Sequence, residues 1–119
     1  MKGMTIKRFD QPDKIVEFEK GRLHVVELGG MVVGRAEYEP GWLWSRDVAG
    51  EEGNALCSAS HIGMVLDGEN RVTMTDGTSM VMRAGDLFAI GPGHESEVTG
   101  SGDYISLHLM GVEEYLRDM

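Results

Sequence analysis

HIGMVLDGENRVTMTDGTSMVMRAGDLFAIGPGH, residues 61–94, alternates short apolar runs with turn dipeptides, and that rhythm decides the fold class. HIGMVL is apolar enough for a buried strand, and DGEN reads as a turn. RVTMT alternates, then Asp76-Gly77 closes a tight hairpin, because this pair tolerates positive φ. SMVMR alternates again, Ala84-Gly85-Asp86 turns the chain, and LFAI ends at Gly91-Pro92-Gly93. A meander of short strands with turns about every ten residues predicts an all-β sandwich or barrel.

Upstream, the same alternation continues. KIVEFE (14–19) puts Val16 and Phe18 on one face and Ile15, Glu17 and Glu19 on the other. RLHVVEL (22–28) follows Lys20-Gly21. MVVGRAEYE (31–39) has an apolar face of Val32, Gly34, Ala36 and Tyr38. Residues 1–13 mix charged and apolar side chains and are expected to form a short edge strand. After Pro40-Gly41 comes WLWS, which holds both tryptophans. On an extended segment Trp42 and Trp44 share a face, as core filling, as the wall of a ligand pocket or as part of a subunit interface. AGEEGN (49–54) reads as a surface loop.

Downstream, DYISLHLM (103–110) places Tyr104, Ser106 and His108 on one face of a closing strand. In VEEYLRDM (112–119), Val112, Tyr115, Leu116 and Met119 fall on one side of a two-turn helix. So short a helix holds only by docking.

The chain has 119 residues with 11 basic and 20 acidic side chains, a formal charge of -9. That length suits one domain. The acidic balance disfavours nucleic acid and anionic membrane surfaces as partners. The opening residues lack the apolar centre of a signal peptide and no run is long enough to span a membrane, so a cytoplasmic protein is expected. One cysteine cannot form an internal disulfide.

VLDG (65–68) and GDLFAIGPGH (85–94), in that order, resemble the two signature segments of the cupins. The resemblance covers roughly residues 34 to 110. It implies a double-stranded β-helix, or jelly-roll, barrel with a short C-terminal helix. The strands of 1–30 would lead into a core over 31–110, followed by the helix of 112–119. Cupins commonly hold a metal with three histidines and a glutamate. Set on Gly68 and Gly85, those four positions read here as Ala55, Cys57, His61 and Ser96. The resemblance therefore implies that the standard metal site is absent and that no cofactor is held in the usual way.

Some potential ligands remain. Cys57 and His61 suit zinc, copper or iron, and Asp47, His94 and His108 could add to them as a weak site for a divalent transition metal. Four residues apart on a straight strand, Cys57 and His61 would stand about 13 Å apart. Ser58-Ala59-Ser60 is a poor turn, and a straight strand is the expectation. Cys57 as a small buried hydrophobe, His61 as a core histidine and His94 as a solvated rim residue are the plainer readings.

The expected role is binding of a small molecule inside the barrel without a standard catalytic metal, with Trp42, Trp44, His61, His94 and His108 lining the pocket. The alternative is a metal-dependent enzyme, of oxygenase or isomerase type, with an altered ligand set. A homodimer is expected through the apolar faces of IVEF and MVVG, which would otherwise leave edges open to aggregation.

Overall fold

The structure, a computed structural model, describes residues 2–49 and 56–117. The described residues form nine strands and two short helices: β1 Lys14–Phe18, β2 Gly21–Leu28, β3 Met31–Tyr38, α1 Trp44–Asp47, β4 His61–Asp67, β5 Glu69–Met74, β6 Ser79–Arg83, β7 Leu87–Ile90, β8 His94–Val98, β9 Tyr104–Met110 and α2 Val112–Arg117. A six-stranded sheet runs β1-β2-β3-β9-β4-β7, and a three-stranded sheet runs β6-β5-β8. All pairings are antiparallel. The two sheets face each other as a jelly roll, the fold that the resemblance implied. Among the described residues of the expected edge strand over 1–13, which are 2–13, no strand forms.

The turn at Asp76-Gly77 is a hairpin, as its residues predict. Gly77 has φ 88°, its N–H donates to Met74 O, and the Asp76 carboxylate accepts from Thr78 N. DGEN does something else. β4 pairs with β7 and β9, whereas β5 pairs with β6 and β8. The chain at Gly68 thus crosses from one sheet to the other, and the expected meander is a jelly-roll crossing at this point. Local turn chemistry cannot distinguish the two, because both need a sharp reversal.

The strand faces follow the alternation of the sequence. Gly34, Ala36 and Tyr38 of β3 point inward, as do Tyr104 and Ser106 of β9, and all are buried. Tyr38 stacks on Trp42 with ring centroids 3.8 Å apart and on Tyr104 at 5.8 Å. Stacked aromatic pairs add roughly 0.5–1.5 kcal/mol each beyond the area they bury. WLWS is not one extended segment. Leu43 bridges Glu97, and Trp44 starts the helical turn of α1. Both tryptophans are nonetheless buried.

Val112 and Tyr115 of α2 are buried and Leu116 packs beside them, so the helix docks as its spacing requires. Met119 and Ala55, and the loop residues from 50 to 54, lie outside the described residues. No described helix is long and apolar enough to cross a membrane.

Candidate metal centre

Cys57 and His61 come from different sheets. Cys57 forms a bridge with His94 at the start of β8, its N–H donating to His94 O at 2.8 Å and its carbonyl accepting from Gly93 N at 2.7 Å. His61 opens β4 in the larger sheet. Ser58 to Ser60 carry the chain across, so the straight-strand expectation is wrong. Cys57 Sγ and His61 Nε2 lie 3.5 Å apart rather than at opposite ends of a strand.

The same bridge brings in His94. The ligand atoms of Cys57, His61 and His94 all lie within 4.8 Å of one another. Their residues are 1%, 5% and 4% exposed. The expectation of a solvated rim histidine at 94 is therefore also wrong. His94 Nδ1 donates to Gly91 O at 2.8 Å, which leaves Nε2 as the lone-pair nitrogen. A backbone carbonyl on the far ring nitrogen is the usual way a metal-binding histidine is oriented.

The donor set fits a metal. Tetrahedral sulfur and nitrogen ligands at ordinary bond lengths stand roughly 3.3–3.6 Å apart, and the Cys57–His61 pair is already at that distance. Thiolate with two imidazoles suits zinc, copper or iron. Three protein donors also leave a coordination position for a small molecule or water.

The surroundings are aromatic and uncharged. The His61 ring lies 5.3 Å from those of both His94 and His108, and 5.4 Å from that of Tyr115. Burial, helped by positive charge on His108 and His94, holds His61 down to about 3. Burial alone brings His108 down to about 4. Both rings are thus neutral near pH 7. Burial also raises the Tyr38 and Tyr115 hydroxyls, whose oxygens are 2.7 Å apart.

His108 Nε2 is 2.9 Å from Ser106 Oγ, and His108 is a wall residue outside the three-donor group. Ser96 Oγ donates to Asn70 Oδ1 at 2.7 Å. Asp47 is not brought to the site. Its carboxylate accepts from Leu43 N and from Arg46, and these hydrogen bonds keep it below the usual carboxylate range.

Between the two sheets lies a cavity of about 40 Å³, room for on the order of three waters. Trp42, Trp44, His61, His94 and His108 all line it. Among the described residues, His61 Nδ1 and the indole nitrogens of Trp42 and Trp44 are buried without a hydrogen-bond partner. Groups of this kind usually find a partner, and these three surround one cavity. Tyr115 is among the wall residues that sequence reasoning missed, as are Tyr38, Met82, Phe88 and Ile90. The helical spacing of Tyr115 predicted burial but not the place.

No family model matches the chain. No curated protein matches it either. Solved structures do. A crystal structure of an RmlC-like cupin from Shewanella frigidimarina is 17% identical, with a TM-score of 0.60 over 93% of this chain and 96% of that one. The Fe(II) form of HppE is 10% identical, with a TM-score of 0.60 over 89% of this chain and 59% of that one. AerE from Microcystis aeruginosa is 19% identical, with a TM-score of 0.59 over 80% of this chain. This chain spans only 43% of AerE's length. The fold is therefore that of the cupins, and the likeness reaches no further than the fold.

Proposed function

We propose that the protein holds a divalent transition ion on Cys57, His61 and His94 and binds a small molecule beside it. The observation that carries this is the convergence of three buried donors from two sheets. It favours the metal-dependent alternative over a barrel that binds its ligand without metal. One of the cupin-fold neighbours, HppE, was crystallised in an Fe(II) form, which lends support. A bound ion would supply Lewis-acid or redox chemistry at the open position. The chain's own part is to fix the donors, keep His108 neutral and exclude bulk water with the rings of Trp44 and Tyr115.

The test is metal content of protein purified without an affinity tag, followed by zinc titration against a chelating indicator. Near-stoichiometric metal is expected. Cys57→Ser, His61→Ala and His94→Ala will each weaken zinc binding by about a hundredfold, whereas Asp47→Asn and Ser96→Ala will leave it unchanged. Wild-type zinc affinity in all three ligand variants would return the reading to a metal-free binding site.

A second copy of the chain belongs to the same proposal, although its contact shifts. Val16, Phe18 and Val32 pack against the protein's own core, which removes much of the motive for pairing through the first strands. Ile62 and Leu66 of β4 and Leu109 of β9 are instead exposed on adjacent strands. Light scattering of the wild type at tens of micromolar should give a dimer, and Leu66→Lys a monomer. A monomeric wild type would remove the second copy.

A further inference from the structure

The larger and smaller sheets end side by side in β7 and β6, which do not pair with each other. Along this seam runs a cleft of about 600 Å³, far larger than the inner cavity. That volume lies within the usual range of small-molecule sites, roughly 300–1,000 Å³. Three residues, Met82, Phe88 and Ile90, line both the cleft and the inner cavity. The two spaces are separated by this single layer of side chains.

The cleft has a consistent chemistry. Met74, Met80 and Met82 give it an adaptable apolar wall. Among the described residues that line it, Asp86 alone is ionisable, and its carboxylate accepts from Arg83 N. Met80 and Leu87, at its walls, are 71% and 77% exposed. Side chains of this kind left open beside a concave space mark a binding surface more often than isolated exposure does. The inner cavity is different, because it offers the unpartnered indole N–H groups of Trp42 and Trp44. Indole nitrogen is a donor only, so its partner must be an acceptor.

Resting on the proposed function above, we propose that the substrate is an uncharged molecule with an apolar body and a carbonyl or hydroxyl oxygen at one end. The body lies in the β6–β7 cleft. The oxygen passes Met82, Phe88 and Ile90 to meet the tryptophan N–H groups next to Cys57, His61 and His94. An anionic body would face the Asp86 carboxylate, a cationic one would find only that carboxylate, already accepting from Arg83 N, and a wholly apolar ligand would leave the indole donors unmatched.

Both tryptophans of the chain line the inner cavity, so their fluorescence reports arrival there. The experiment titrates metal-free protein with 2-nonanone, and with nonane as a comparison. The ketone should give a saturable change in tryptophan emission that nonane does not give. Met80→Lys and Leu87→Lys, both exposed and outside the metal donors, should weaken ketone binding tenfold or more. Ile15→Lys, exposed on β1, should leave it unchanged. Zinc binding measured on the same variants should not move.

Absence of a saturable ketone signal, or cleft variants that bind like the wild type, would overturn the inference. So would cleft variants that lose only self-association, which would make the cleft a subunit contact. Because zinc is titrated separately, failure of the metal reading would appear in that titration and not in the ketone one.

Discussion

Lowering the pH from 6.5 to 4.5 will cost the metal-free protein about 4 kcal/mol of stability. His61 and His108 are held down to about 3 and about 4 by burial in the core. In the unfolded chain both take up protons near pH 6.5. Below that pH the unfolded state binds more protons than the folded one, so stability falls as pH falls. It is fully present above pH 6.5, and the loss levels off once the pH drops past the folded values. Each histidine contributes about 1.4 kcal/mol per pH unit in that window. Part of the depression of His61 comes from charge on the neighbouring rings, so the two contributions fall short of their simple sum. Urea midpoints measured with chelator at pH 7.5, 6.5, 5.5 and 4.5 will show the decline, and His108→Gln will remove roughly half of it. A flat profile over this range would mean that the two rings reach water.

Gly63→Ala will destabilise the protein by about 3 kcal/mol or more. Gly63 sits at a register shift between β4 and β9. A Cβ there would run into the Leu107 carbonyl and the Phe88 ring. The backbone on one side cannot move without breaking the sheet, and Phe88 on the other is a wall of the inner cavity. Gly77→Ala makes the contrast. Gly77 has positive φ, but a Cβ there meets nothing within 4 Å, so only the conformational cost of about 1 kcal/mol is expected. Thermal or urea unfolding of the two variants separates crowding from backbone preference. Equal losses would show that the β4–β9 contact yields to an added methyl.

Much of the barrel is legible residue by residue. Asp76-Gly77 specifies its hairpin by itself, and the alternation of DYISLHLM orients Tyr104, Ser106 and His108 correctly. These are local properties. The site is not local. Whether Cys57 meets His61 depends on Cys57 pairing with His94, a residue far along the chain in the other sheet. The turn propensity of Ser58-Ala59-Ser60 asks how the chain would bend alone, whereas the sheets decide where its two ends are tied. The same pairing buries His94 beneath Cys57, although a Pro-Gly turn just before it reads as surface. Ligand spacing within one motif was likewise a poor guide, because the third donor lies two positions before the place the resemblance assigns.

The hydrogen bond between Tyr38 and Tyr115 joins residues 77 positions apart and fixes α2 against the rings of Trp44, His61 and His108. On the ribosome, chain order is also order of appearance. Cys57, His61 and His94 are all made before Tyr115, and so is every strand that carries them. The helix that completes the cavity wall is thus made after every strand on which it docks.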